Sequence, residues 1–155
     1  MDKEQVIALR PARRQDASAI ARCVMRAYQP YVARMGMPPA PMRHDYKAVI
    51  ARQLVWVAEE GWTLHGVLVA EEEGDALLLN NLAVDPDFQG HGTGMRLLRL
   101  AEDLAAQAGL TEVHMYINEA MVENLVFYQK RGYRELQRRQ ENGYHRIYLG
   151  KSLGR

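Results

Sequence analysis

The stretch Leu77–Leu104 limits the fold of this chain more than any other, because it joins an apolar run to a glycine-rich turn and then to an amphipathic segment. Leu77–Val84 is nearly continuous in apolar residues, which is typical of a strand covered on both faces. Asp85-Pro86 ends that strand. Apolar residues then recur at helical spacing at Leu97, Leu98, Ala101, Leu104, Ala105 and Ala108. The stretch therefore predicts strand, loop and helix in succession.

The loop between strand and helix carries the motif Gln89-x-x-Gly92-x-Gly94, with a further glycine at Gly90. Glycine permits tight turns and a close approach of the backbone to a ligand. Because the loop opens a helix, unpaired N–H groups and the positive end of the helix dipole favour a phosphate there. From the motif alone, a phosphate-binding loop and a ligand-free turn are both open.

Two common phosphate motifs are excluded by counting. A dinucleotide fingerprint would require glycine where Met95 or Leu97 stands, and no Gly-Lys-Ser/Thr sequence is present for a P-loop.

Composition narrows the class of protein further. At 155 residues we expect a single domain, 1–155. A net charge of +1, from 20 basic and 19 acidic residues, predicts no nucleic-acid partner. Charged residues near the start and the lack of a long apolar stretch predict a cytoplasmic protein with no membrane partner. Cys23 is the only cysteine and is predicted to be buried, and the histidines lack metal-ligand spacing, so no metal is expected.

Before the central strand, the patterns predict two helices and three strands. Tyr28–Met42 is broken by prolines and Gly36, and is predicted to be an irregular loop. Such a loop is either a binding element or an ordinary surface crossing. The predicted elements are strand Val6–Arg10, helix Asp16–Tyr28, helix Asp45–Gln53, strand Val55–Ala58 and strand Trp62–Glu71.

After the loop helix, Thr111–Ile117 is predicted to be a strand parallel to the central one, because a helical crossover returns the chain in the same direction. A helix at Met121–Arg131 follows, and Tyr133–Glu141 and Tyr144–Leu149 form a hairpin on Asn142-Gly143. The expected fold class is α/β (α+β), with a mixed, mostly antiparallel central sheet flanked by about four helices.

This order of elements, with the glycine motif before the third helix and Phe127-Tyr128-x-Lys130-x-Gly132-Tyr133 at the end of the fourth, resembles the GNAT N-acetyltransferases. The resemblance covers about residues 5 to 151 and is greatest to small stand-alone bacterial enzymes. It implies a GNAT-like domain in which the central strand and the next strand, β4 and β5 in chain order, form a parallel pair that splays apart.

The resemblance also implies acetyl-coenzyme A (acetyl-CoA) as co-substrate. The backbone of Leu82, Ala83 and Val84 would pair with the pantetheine arm. The pyrophosphate would bind amides of the loop, which comprise Gln89, Gly90, His91, Gly92, Thr93, Gly94 and Met95. Many relatives carry an asparagine where this chain has Met121, so that polar contact to the coenzyme arm is either missing or taken over by Asn118 or Asn124.

Catalytic roles follow from the same resemblance. An N–H near Leu82, freed by a bulge in the strand, would stabilise the oxyanion, and Tyr128 would act as the acid toward the leaving thiolate. Without the resemblance, the helical spacing of Met121, Leu125 and Tyr128 favours core packing for this tyrosine.

No strand glutamate is present to act as a base, since the corresponding positions are Asn80, Asn81 and Tyr116. Water or a loop carboxylate would do this work. Glu119 and Glu123 are candidates, although their positions favour solvated charges or helix-start residues over a base.

We therefore expect an N-acetyltransferase that moves an acetyl group from acetyl-CoA to a primary amine of a small molecule or peptide, by direct attack. Two alternatives are a non-catalytic acyl-CoA-binding or sensor module and a simple nucleotide-phosphate binder. The acceptor would be shaped by Tyr28–Tyr46 and the final hairpin around Tyr144. The resemblance also makes a homodimer possible.

Overall fold

A computed structural model describes residues 6–154, which form seven strands and four α-helices. The strands are β1 (Ala8–Pro11), β2 (Leu54–Glu60), β3 (Thr63–Glu73), β4 (Ala76–Val84), β5 (Glu112–Asn118), β6 (Arg134–Glu141) and β7 (Tyr144–Ser152). The helices are α1 (Ala17–Met35), α2 (Tyr46–Arg52), α3 (Thr93–Gln107) and α4 (Val122–Gln129).

The strands form one sheet in the order β1-β2-β3-β4-β5-β7-β6. Each neighbouring pair is antiparallel except β4 and β5, which are parallel and connected through α3. Helices α1 and α3 both pack against the two central strands, β3 and β4. All residues from 65 to 70 in β3 are buried, because helices cover both faces of the sheet at its centre. The predicted α/β fold class is confirmed.

The parallel pair β4/β5 separates partway along its length. The strands are paired from Ala76↔Glu112 to Leu79↔Met115, and the rest of β4 has no partner on this side. A β-bulge lies at the same point, because Val69 pairs with Asn81 whereas the adjacent Ala70 pairs with Leu79. The predicted splayed pair is confirmed, and the predicted bulge precedes Leu82.

The prediction of an irregular loop over residues 28–42 is wrong for its first half, because α1 continues to Met35. Pro30 lies on the exposed side of this helix, while Ile20 and Val24 are fully buried and fix its other face against the sheet. Packing of that face outweighs the backbone hydrogen bond that proline cannot donate. Gly36, with φ of 74°, ends the helix.

The irregular segment is therefore limited to residues 36–45, and it contains a 3₁₀ turn at Ala40–Arg43.

The predicted hairpin turn is confirmed, since Asn142 and Gly143 both have positive φ, as a tight two-residue hairpin turn requires. Cys23 is buried, as predicted. Across residues 6–154, no helix has the length and apolar character needed to cross a bilayer. The described residues also contain no His, Cys, Asp and Glu grouping suited to a metal ion.

Candidate active site at the split between β4 and β5

A groove of about 550 Å³ opens where β4 and β5 diverge, and we call it the loop groove. Its walls are the unpaired edge of β4, the glycine loop and one side of α4. Its main lining residues are Leu82, Ala83, Val84, Phe88, Gln89, Gly90, Gly92, Thr93, Gly94, Met95, Glu123, Asn124, Phe127, Tyr128 and Arg131.

The β4 wall presents backbone groups to the loop groove. The N–H of Asp85 donates to the carbonyl of His65 on β3 (2.8 Å), so the backbone polar groups of Asp85 face β3 and not the groove. Because backbone direction alternates along a strand, Val84 and Leu82 point into the groove, whereas Ala83 points to β3. The Gln89 side-chain amide donates to the Val84 carbonyl (3.1 Å). The edge of β4 can therefore accept an extended ligand as an added strand.

The glycine loop presents the end of α3 to the same groove. Gly90 and Gly92 have φ of 85° and 81°, conformations that favour glycine. No side chain caps α3, and its first helical hydrogen bond runs from the Arg96 N–H to the Gly92 carbonyl (3.0 Å). The hydroxyl of Thr93 is buried with no hydrogen-bond partner in the described chain. The uncapped N–H groups at this helix end form a site suited to an anion.

The structure brings most, but not all, of the predicted coenzyme-binding residues to the loop groove. The predicted residues of β4 and the loop line the groove, as does Asn124, except that His91 has an exposed side chain outside the lining. Asn118 does not line the loop groove, and its side-chain oxygen accepts from the Ala120 N–H (2.9 Å).

One cationic residue of the groove was missed by the sequence analysis. Arg131 lies 3.9 Å above the Phe127 ring, measured from its guanidinium carbon to the ring centroid. Its Nη1 donates to the Phe127 carbonyl (2.9 Å), while its buried Nε finds no partner in residues 6–154. Arg131 comes four residues after Phe127, a spacing at which two helical side chains are neighbours. That spacing was the signal available in the sequence.

A second, narrower cavity of about 50 Å³ lies deeper in the split, and we call it the inner pocket. It is bounded by residues 79–82 of β4, 115–118 of β5 and 39–41 of the irregular segment. Two tyrosine hydroxyls hold that segment over the pocket. Tyr144 donates to the Pro38 carbonyl (2.8 Å), and Tyr46 donates to the Pro41 carbonyl (2.6 Å).

A buried polar network forms one wall of the inner pocket. The Tyr28 hydroxyl donates to Asn81 Oδ1 (2.8 Å), and Asn81 Nδ2 donates to the Tyr46 hydroxyl (3.1 Å). All three residues are buried, so each bond satisfies a polar group that has little access to water. The network explains Asn81, the buried one of the two asparagines in an otherwise apolar strand.

Tyr128 lies between the two cavities and lines both, together with Tyr28, Leu82 and Asn124. Its ring contacts Phe127 and Tyr133 edge-on, with centroid separations of 5.2 and 5.7 Å. Burial raises the pKa of the Tyr128 phenol above its usual value of 10, so the phenol stays protonated. Tyr128, the predicted catalytic residue, thus packs against neighbouring rings and also lies at the junction of the two cavities.

Neither candidate carboxylate reaches the inner pocket. Glu123 lines the loop groove, and the Arg34 guanidinium, which donates to Glu123 at 2.8 Å, lowers the pKa of that carboxyl. Glu119 lies outside both cavities, 3.9 Å from Arg138. Among the described residues that line the inner pocket, none is an aspartate, a glutamate or a histidine.

A sheet that splits between parallel strands, beside a glycine loop at an uncapped helix end, defines an acyltransferase of the GNAT class. The family model of the acetyltransferase (GNAT) domain matches residues 51–135. The chain belongs to this family.

Solved structures of the same fold cover nearly the whole chain. PaiA N-acetyltransferase from Thermoplasma acidophilum, in complex with coenzyme A, has a TM-score of 0.79 at 18% identity and covers 95% of this chain and 99% of its own. The ribosomal-protein-S18-alanine N-acetyltransferase from Escherichia coli has a TM-score of 0.76 at 17% identity, covering 97% and 96%.

A GNAT family acetyltransferase from Elizabethkingia anophelis, with acetyl-CoA bound, has a TM-score of 0.74 at 18% identity, covering 97% and 99%. At these identities the likeness establishes the fold. A search of curated protein sequences gave no match.

Proposed function

We propose that this protein transfers the acetyl group of acetyl-CoA to a primary amine of a small molecule. The observation that carries this proposal is the position of Tyr128 and Leu82, which line both the loop groove and the inner pocket. A donor held in the groove and an acceptor held in the pocket would meet at these two residues. Family membership supports the acyl transfer, and the coenzyme in two structures of the same fold supports the donor.

The loop groove has the chemistry that acetyl-CoA requires. An extended pantetheine arm, which carries amides, would bind the outward backbone groups of Leu82 and Val84. The pyrophosphate would lie at the uncapped start of α3, where backbone N–H groups are unpaired. Arg131 adds a cation to the wall of the same groove. These residues fit a long ligand with amides and phosphates.

The reaction would be a direct attack. The amine nitrogen forms a bond to the thioester carbonyl carbon, and the carbon–sulfur bond breaks to release the thiol. Negative charge develops first on the carbonyl oxygen, and the Leu82 N–H at the open edge of β4 would donate a hydrogen bond to it. One proton leaves the nitrogen and one joins the sulfur, so the step needs no covalent enzyme intermediate.

Tyr128 is the residue we assign to the leaving sulfur. Its hydroxyl forms no hydrogen bond within residues 6–154, so it is available to a ligand at the junction. Because burial raises its pKa, the phenol donates a hydrogen bond and does not act as a base. The thiolate would be stabilised by that hydrogen bond and then protonated.

The acceptor would lose its proton without help from an ionisable side chain of the inner pocket. The described lining of that pocket offers phenols, side-chain amides and thioethers, none of which is a base near neutral pH. The amine would therefore react from its neutral form, with the proton passing to water.

The test is release of free thiol from acetyl-CoA over a panel of amino acids, polyamines, aminoglycosides and peptides. Calorimetry measures coenzyme binding to the same protein. We expect tight binding of acetyl-CoA and thiol release only when an acceptor is present. Binding without release for any acceptor would favour a non-catalytic acyl-CoA sensor. Equal affinity for ADP and acetyl-CoA would favour a nucleotide-phosphate binder, and no binding would contradict the proposal.

A further inference from the structure

We propose that Arg146 selects the acceptor, and that the acceptor is a small primary amine bearing a carboxylate, as in a free amino acid. This inference rests on the proposed function, because it assigns the substrate class of the same site. Arg146 lies on β7 and is the only charged residue among the described residues that line the inner pocket.

The guanidinium of Arg146 is held in place mainly by aromatic rings. Its central carbon lies 4.3 Å from the ring centroid of Tyr116 and 5.2 Å from that of Tyr144. Its side chain is only 13% exposed. Stacking against rings favours a fixed guanidinium plane while its N–H donors remain at the edges.

One carboxylate, that of Glu141, lies near this charge, but it does not hydrogen-bond to the guanidinium. The ion pair from Arg146 Nη1 to Glu141 Oε2 spans 4.0 Å, longer than a hydrogen bond, and the other oxygen of Glu141 accepts from the Tyr148 hydroxyl. Arg139 faces Arg146 across the β6/β7 pair and adds a second positive charge nearby. A largely buried cation with a distant partner favours an anionic ligand.

The geometry favours a carboxylate and disfavours polycations. One guanidinium provides the two parallel N–H donors that a single carboxylate accepts, whereas a phosphate dianion calls for additional positive charge in the pocket. A polyamine or an aminoglycoside would bring cations to a lining that has one cation and no described carboxylate. The inner pocket has a volume of only about 50 Å³ under the segment that Tyr144 and Tyr46 hold, so it suits a small acceptor.

The experiment compares amino acids with the amines that their decarboxylation would give, such as tyrosine with tyramine and leucine with isoamylamine. Each is titrated into protein saturated with coenzyme A, and heat of binding is measured. We expect amino acids to bind about tenfold or more tightly than their amine partners, because a charge-assisted pair is lost in the amine. Arg146→Gln should abolish this ratio, and Arg146→Lys, which keeps the charge without the fork, should give an intermediate ratio.

Arg138→Gln is the matched control, because Arg138 lies on β6 outside the inner pocket and pairs with Glu135 at 3.0 Å. This variant should keep the wild-type ratio. Amines that bind as tightly as amino acids, a ratio unchanged by Arg146→Gln, or no binding of any amino acid would each overturn the inference. Coenzyme binding and thiol release with any acceptor are measured separately, so a failure of the proposed function is distinguished from a failure of this selection.

Discussion

The loop groove and the inner pocket differ in what they are made of. The groove presents backbone groups, namely the outer edge of β4 and the start of α3, and these arise from a bulge and a glycine motif within one stretch of chain. The inner pocket is made of side chains from α1, the segment 36–45, β4, β5, α4 and β7. A backbone site accepts a ligand shared by a whole family, whereas a side-chain site can differ in each member. Under the proposed function, the shared co-substrate would bind in the groove and the individual acceptor in the pocket.

Substitution of a loop glycine should have the largest effect, and it should affect the loop groove far more than the inner pocket. Gly92→Val places a β-branched residue at φ of 81° and displaces the amides at the start of α3. We expect coenzyme affinity to fall roughly thousandfold, equivalent to the loss of about two hydrogen bonds to a charged group. Calorimetry with acetyl-CoA measures this.

Gly74→Val is the control for that experiment. Gly74 has φ of 61° in the β3–β4 turn, with open space around it and no contact with either cavity. The strain is similar, so stability should fall while coenzyme affinity stays the same. Equal coenzyme affinity in the Gly92 variant and the wild type would show that the glycine loop does not hold the ligand.

Removal of one hydroxyl tests the junction between the cavities. Tyr128→Phe should lower kcat about hundredfold, the usual scale for a lost proton donor, with coenzyme affinity unchanged. Tyr133→Phe is matched to it, because Tyr133 is also buried and its hydroxyl donates to Glu102 (2.8 Å) away from both cavities. That control should lose stability and keep its kcat. A Tyr128 variant with full kcat would leave this residue with a packing role alone.

The pH dependence distinguishes an ionisable enzyme base from a neutral amine. Because burial raises the pKa of Tyr128, its phenol stays protonated in alkaline solution. The rate should therefore show no loss with rising pH until about pH 10. From low pH upward, kcat/KM should rise about tenfold per unit until the pKa of the acceptor. Acceptors of different pKa should shift the midpoint accordingly. A midpoint that stays fixed would reveal an enzyme base.

The smallest effect on turnover is expected from the network in the pocket wall. Asn81→Leu removes the acceptor of the buried Tyr28 hydroxyl, which should cost about 1–3 kcal/mol of stability while changing kcat by only a few-fold. Adding Tyr28→Phe should restore part of that loss, since no unpaired hydroxyl then remains. Urea denaturation measures both. A double variant less stable than Asn81→Leu alone would contradict this account of the network.

The difference between a backbone site and a side-chain site also explains how much of the fold and the site could be predicted from the sequence. The apolar pattern of Leu77–Val84 predicted the strand, whereas the splayed pair was implied only by the family resemblance. The resemblance also implied that Ala83 pairs with the ligand, whereas in the structure Ala83 faces β3. The course of α1 beyond Tyr28 was mispredicted, because proline propensity is local whereas the packing that maintains the helix is not.

Arg146 could not be assigned from the sequence. Its role depends on Tyr116 and Tyr144, and only the pairing of β5 with β7 brings Tyr116 next to it. Spacing in one strand carries no information on which ring lies beneath a guanidinium. Arg131 differs from Arg146, because its spacing of four residues from Phe127 did indicate that the two side chains are neighbours.

A crystal structure of the protein with acetyl-CoA tests the central claim most directly. We expect the pyrophosphate against the amides of residues 89–95, the thioester oxygen at the Leu82 N–H, and the sulfur within hydrogen-bond reach of the Tyr128 hydroxyl. The acetyl group should point into the inner pocket toward Arg146. A coenzyme bound outside the loop groove, or a thioester turned away from Tyr128 and Leu82, would contradict it.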